Sequence, residues 1–158
     1  MPQHMIAPVY NNESRLLILG SFPSVKSREA QFFYGHPKNR FWRVLSAVLG
    51  CKVPETQFEK RELLLSKYIA LWDVIASCDI SGSADNTISN VVPNDLSRIL
   101  DCASIEKIYT NGSKAHELYR KYLLPATGIA AFRLPSTSPA NAKFSIERLI
   151  EEWKTISE

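Results

Sequence analysis

The sequence predicts an α/β fold, a three-layer helix–sheet–helix sandwich around a four-stranded parallel sheet. Three observations carry that expectation. Short apolar runs closed by turn residues recur along the chain, helix-compatible segments separate them, and 45% of the 158 residues are hydrophobic, enough for a sizeable core. Strands joined through helices pair in parallel, and right-handed crossovers then cover both faces of the sheet.

The elements follow in order. RLLILGSFP, from Arg15, is an apolar run ended by Gly20 and Pro23, the pattern of a buried strand entering a tight loop. NRFWRVLSAVLG has apolar residues at helical spacing and stops at Gly50, a C-terminal cap. ETQFEKRELLLSK, residues 55–67, reads as a second helix. YIALWDVI is the second strand, and WDVIASC, residues 72–78, forms the loop at its end. DISGSADNTISNVVPND, residues 79–95, is loop, rich in Ser, Asn, Asp and Gly. PNDLSRILDC gives a short helix capped at Asn94 or Asp95. IEKIYTNG is the third strand and SKAHELYRKYLL the helix after it. GIAAFRLPSTSP is the fourth strand, running into a Pro/Ser loop. NAKFSIERLIEEWKTI closes the chain as an amphipathic helix with a core-facing stripe of Ile146, Leu149, Ile150 and Trp153.

Composition narrows the classes. The formal charge of +3 permits nucleic-acid binding without requiring it. Cys51, Cys78 and Cys102 are odd in number and show no CxxC spacing, which argues against a thiolate metal centre and suits a reducing cytoplasm. No apolar run reaches the length of a membrane span, and MPQHMIAPVYNNES lacks the basic-then-apolar order of a signal peptide. Without repeats or low-complexity segments, residues 1–158 read as one domain, a cytoplasmic monomer with no metal and no cofactor.

In open parallel sheets, ligands bind outside the carboxyl ends of the strands. GSFPS (20–24), WDVIASC (72–78), TNGSK (110–114) and LPSTSPAN (134–141) all fall at that edge. QFFYGHPKNRFW, residues 31–42, adds five aromatics around His36, Asn39 and Arg40. Gly35 and Pro37 bar it from being a core strand, and a solvated loop has no use for so many rings, so the rings are expected to hold something. Each residue also has a plainer role open to it. Asn39 is a preferred N-cap for a helix starting at Arg40. Tyr34 can be a core aromatic, His36 can bond a loop carbonyl, and Asp73 can cap the turn after its strand. Phe41 and Trp42 are expected to anchor the following helix. LPSTSPAN can be a simple turn leading to an Asn141 N-cap. Cys78 and His116 have no spacing that pairs them as a nucleophile and base.

Taken together, ILGSFPS, FFYGHPKNRFWRVL, LWDVIASC and LPSTSPANA resemble the uracil-DNA glycosylase superfamily, and within it the hypoxanthine-DNA (deoxyinosine) glycosylase branch; mismatch-specific uracil glycosylases share a similar HPxNRFW stretch. The resemblance spans roughly residues 15–155 and implies a monofunctional DNA glycosylase acting on damaged DNA, duplex or single-stranded, in base-excision repair. It implies a substrate pocket from Gly20, Ser21, Phe22, Pro23, Ser24, Tyr34, His36 and Asp73. Phe22 stands where other branches carry the Asp or Asn that positions the attacking water, and the resemblance moves that role to Asn39. Asp73 stands where relatives carry a base-reading Asn. Ser24 replaces a bulky Tyr of uracil-selective enzymes and leaves room for a purine, with uracil and xanthine as further bases. Ser136, Thr137, Ser138 and Asn141 are expected to contact DNA, assisted by the N-terminus of the following helix. The wedge side chain that relatives insert from this loop has no Leu or Arg counterpart among residues 137–140. The missing residue at Phe22 also supports a second reading, a non-catalytic nucleic-acid or nucleotide-binding module.

Overall fold

The computed structural model describes residues 6–79 and 88–157. Four strands form a parallel sheet: β1 (Leu16–Gly20), β2 (Ile69–Asp73), β5 (Lys107–Asn111) and β6 (Ala131–Leu134), in the order β2-β1-β5-β6. Leu17, Ile18 and Leu19 are fully buried, and every residue of β2 is buried too. Burial on both faces explains why these strands read as continuous apolar runs rather than alternating ones. The N-terminal segment adds one antiparallel bridge, Val9 to Leu71, at the β2 edge. No helix among the described residues is long and apolar enough to cross a membrane.

The register sets up the site. Gly20 lies opposite Asp73, and Asn111 lies opposite Leu134, so the strands end level at one edge. The first crossover holds α1 (Val25–Ala30), α2 (Phe41–Leu49) and α3 (Gln57–Ser66). α2 stops where expected, with Gly50 at φ 70 in the left-handed region that only glycine adopts without strain. α3 opens on a capping box between Thr56 and Glu59. The helix α7 (Ile146–Trp153) packs against α2, with the Trp153 ring edge-on to Phe41 at 5.8 Å.

Several elements differ from the sequence expectation. WDVIASC is not a loop: the chain leaves the sheet at Val74 and forms β3 (Ile75–Asp79), which pairs antiparallel with β4 (Ser89–Pro93). β4 falls inside the segment read as loop. Its residues are mostly exposed and its pairing shifts register twice, so no apolar alternation marks it. Residues 80–87 of that expected loop lie outside the described residues. The short α4 (Ser97–Leu100) has Leu96 at its N-cap, and Asp95 accepts the Ser97 N–H from one position earlier. The helix after the third strand is α5 (Ser113–Leu118), which widens into a π turn over Tyr119–Leu123 and continues as α6 (Leu124–Thr127), with Pro125 just after the π turn. The last helix begins only at Ile146, capped by Ser145, not at Asn141. Asn141 instead donates its side-chain N–H to the Ser136 carbonyl.

The centre of this packing is Phe41, fully buried against Tyr34, Trp42 and Trp153. Phe41→Ala should cost about 3–5 kcal/mol, because rigid rings on three sides cannot close the cavity it leaves. Urea unfolding followed by tryptophan fluorescence checks this, since two of the three neighbours report directly.

Candidate active site

The first wall is built by local hydrogen bonding. Beyond Gly20 the chain is pinned by Val74 N–H to the Gly20 carbonyl (2.8 Å) and Ile75 N–H to the Ser21 carbonyl (3.1 Å). Ser24 caps α1 by accepting the Ser27 N–H, and its own hydroxyl donates to Ser27 Oγ at 3.1 Å. Ser27 Oγ also accepts the Gly35 N–H at 2.8 Å. Left-handed residues at Gln31 (φ 58) and Tyr34 (φ 53) fold the aromatic stretch back over this helix. Phe32 and Phe33 enter the core, and the Trp42 indole N–H fastens the turn by donating to the Phe33 carbonyl. The turn at His36 closes on itself: His36 Nδ1 accepts the Lys38 N–H, which leaves the ring hydrogen on Nε2, and the Asn39 N–H bonds the His36 carbonyl. His36 thus takes a backbone donor, not the loop carbonyl foreseen for it.

α2 starts at Phe41, not Arg40, and Asn39 serves as a capping residue from one position before the N-cap Arg40. Its Oδ1 accepts the Phe41 N–H at 2.9 Å and, from across the chain, the Thr137 hydroxyl, also at 2.9 Å. A carbonyl oxygen has two lone pairs. Both are taken, so the donor-only Nδ2 is what this amide can present to a ligand. Thr137 is fully buried. Its Oγ1 accepts Asn111 Nδ2 at 3.0 Å, and its N–H donates back to Asn111 Oδ1 at 3.1 Å. The expectation that Thr137 touches DNA therefore gives way to an internal role: burial and a fully used hydroxyl leave it nothing to offer a phosphate.

Arg40 draws in the third wall. Its backbone N–H bonds the Thr137 carbonyl, and its guanidinium donates to the carbonyls of Ser138, Asn141 and Phe144. The Trp153 indole N–H adds a bond to the Pro135 carbonyl at 2.9 Å. Within the loop, Ser136 Oγ accepts the Ser138 N–H and Ser138 Oγ accepts the Ala140 N–H, so each serine keeps its O–H as a donor.

These walls enclose a cavity of about 310 Å³, within the range of small-molecule sites. Gly20, Ser21, Phe22, Pro23, Ser24, Tyr34, His36, Asn39, Asp73, Ser136, Thr137 and Ser138 all line it. Asn141 does not; it braces the loop from behind. The helix after the loop starts only at Ile146, so its N-terminus does not directly follow the loop as expected. The Asp73 carboxylate is buried and lies directly over Gly20, where the Tyr34 hydroxyl also reaches. Tyr34 stacks one ring face on Phe41 (4.1 Å between centroids, 17° between planes), so a flat ligand would use the other. The Asp73 backbone is fixed separately, its carbonyl accepting the buried Asn94 amide.

Sequence reasoning missed Ser27, Phe33, Asn111, Pro139 and Ala140 as lining residues, and Arg40 as the brace. Asn111 carried a signal, ending a strand at the ligand edge. Cys78 is buried and burial pushes its thiol up, while His116 faces Thr110 Oγ1 at 2.8 Å and is pushed down by burial with Arg120 and Arg133 nearby. Neither belongs to the cavity.

Residues 7–156 match the family model of the uracil DNA glycosylase superfamily. A hypoxanthine DNA glycosylase of Methanosarcina acetivorans is 35% identical over 94% of this chain and 93% of its own length. A hypoxanthine DNA glycosylase of Methanosarcina barkeri is 32% identical over 90% of each. The solution structure of a candidate uracil DNA glycosylase from M. acetivorans superimposes with a TM-score of 0.79 at 32% identity, covering 97% of both chains.

A Cβ on Gly20 would collide with the Asp73 carboxylate and come within 2.9 Å of the Tyr34 hydroxyl. Gly20→Ala should destabilise the fold by about 1–3 kcal/mol through overpacking. Urea unfolding measures the loss. A milder result, within about 0.5 kcal/mol of wild type, would mean that Asp73 moves aside readily.

Proposed function

The chain belongs to the uracil DNA glycosylase superfamily, and from that premise we propose that it is a monofunctional glycosylase that flips a deaminated base out of DNA and hydrolyses its bond to the sugar, hypoxanthine first. A base stacked in a duplex hides its glycosidic bond, so the nucleotide must swing into a pocket. The observation that carries the preference for a purine is the wall of small side chains, Ser24 and Ser27, lining the same cavity as the Asp73 carboxylate. A bulky ring in place of Ser24 would narrow that space towards a pyrimidine. The names carried by the two Methanosarcina relatives support the same base.

The residues take roles that their geometry permits. The face of Tyr34 turned away from Phe41 stacks on the flipped base. Asp73 accepts the ring N–H that hypoxanthine and uracil both carry, and His36 donates from Nε2 to a base carbonyl. Ser136 and Ser138 donate to phosphates flanking the flipped nucleotide, contacts that position the strand without reading it. The sequence resemblance suggested Asn39 as holder of the attacking water. With both lone pairs of Oδ1 occupied, Asn39 is better suited to donate from Nδ2 to an acceptor on the leaving base as negative charge builds there. As the C1′–N bond breaks, the departing base takes the electron pair and leaves an oxocarbenium-like sugar that needs only a weak nucleophile, so a positioned water on its other side suffices.

This reading is tested with duplexes containing inosine, uracil or xanthine, followed by alkaline cleavage of abasic sites; no cleavage of any of them would favour a binding module that has lost the chemistry. Asn39→Asp separates the two roles of the amide. It keeps an oxygen for Phe41 and Thr137 and replaces the Nδ2 donor with an acceptor. If the donor matters, excision should fall by about 10²–10³-fold, the usual cost of losing one such donor. If the oxygen served a water, the carboxylate would be as active or faster. Single-turnover rates decide between them, with circular dichroism to confirm the fold.

Asp73→Asn should change the ratio of inosine to uracil excision more than it changes affinity for undamaged duplex. An amide both donates and accepts where the carboxylate only accepts, and a mispaired buried group costs about 1–3 kcal/mol. Equal proportional losses on both bases would make Asp73 structural.

A further inference from the structure

We infer that Thr137, itself held by Asn111, is a positioning residue that sets which end of the Asn39 amide faces the cavity. The inference rests on the catalytic role proposed for Asn39 and adds how that role is enforced.

An asparagine amide at a pocket wall can turn over about its last side-chain bond, exchanging acceptor for donor. The Phe41 N–H opposes this on one side, because it needs an acceptor. A single backbone N–H is a weak restraint by itself, because one neutral hydrogen bond contributes little net. Thr137 supplies the second restraint from a segment 98 residues away. A hydroxyl can donate or accept, so by itself it would accommodate either end of the amide. Asn111 removes the choice. Its Nδ2 donates to Thr137 Oγ1, so the threonine hydrogen is directed to Asn39 Oδ1. The direction of Asn111 is in turn fixed by the Thr137 N–H, which bonds Asn111 Oδ1. The polarity therefore runs one way, from the end of β5 through the loop after β6 to the start of α2. Thr137 is fully buried, which shields its hydroxyl at the centre of the relay. Its carbonyl is used as well, by the Arg40 N–H. Reversing the Asn39 amide would set its NH2 against two donors.

A double-mutant cycle on single-turnover excision of hypoxanthine from an inosine duplex tests the relay. Thr137→Val keeps the shape and removes the hydroxyl. It should slow excision by about 10²-fold, the scale of a misplaced catalytic group, with unchanged affinity for the duplex. Thr137→Ser should restore most of that loss. In an Asn39→Ala background, Thr137→Val should add no more than about twofold, since two residues acting as a unit are not additive. Asn111→Asp gives a second reading if Thr137→Val does not fold. The introduced carboxylate still accepts the Thr137 N–H, but it draws the threonine hydrogen towards itself and away from Asn39, so excision should again drop.

Equal losses from Thr137→Val in both backgrounds would overturn the relay and make Thr137 a prop of the loop. So would wild-type rates in folded Thr137→Val or Asn111→Asp protein. If Asn39→Ala itself excises normally, the role of Asn39 fails and the relay with it. An inactive Asn39→Ala without coupling to Thr137 removes the relay alone.

Discussion

The site depends on one guanidinium. The loop after β6 has no strand or helix to satisfy its backbone, and buried carbonyls without donors are costly. Arg40 supplies those donors, reaching the carbonyls of Ser138, Asn141 and Phe144 while its own N–H takes the carbonyl of Thr137. A lysine could not replace it, because a compact ammonium lacks the planar fork that spans several acceptors at fixed spacing. With the loop tied to the residue after Asn39, the pocket's polar wall and its candidate catalytic amide move as one piece.

Indole N–H groups do the same work at lower charge. Trp42 holds the Phe33 carbonyl and Trp153 holds the Pro135 carbonyl. Each ring is buried in the α2–α7 face of the core and keeps only its N–H for a loop. The packing that stabilises the sandwich is thereby the packing that aims the walls. Five rings near one polar tripeptide, so odd in the sequence, divide accordingly: Phe32, Phe41 and Trp42 are buried away from the cavity, and Tyr34 and Phe33 line it. Phe33 shares both duties, since it is buried yet borders the same space.

The sequence made the parallel sheet readable because β1 and β2 are covered on both faces and so read as near-continuous apolar runs. It hid β4, a mostly exposed strand whose pairing slips and which ends in Pro93. It showed Asn39 as a cap, since Phe41 N–H lies two residues away, but the second bond to its oxygen comes from a threonine with no local reason to be there. Arg40 looked like an ordinary charge at a helix start. Its partners are carbonyls, which every residue has, and no side-chain pattern advertises them. What sequence conveys well is periodicity and local capping; what it conveys poorly is which distant backbone a polar side chain will satisfy.

The bond from Trp153 to Pro135 ties the final helix to a wall of the cavity, while the opposite wall begins at Gly20. During synthesis the N-terminal portion emerges from the ribosome first. A nascent chain holding β1, the aromatic stretch and the loop after β6 could already tie that loop through Arg40, but the Pro135 carbonyl would lack its partner until α7 had left the exit tunnel and docked on α2. The bond from Trp153 is thus the last of the loop's ties to form, so closure of that wall waits for the end of α7.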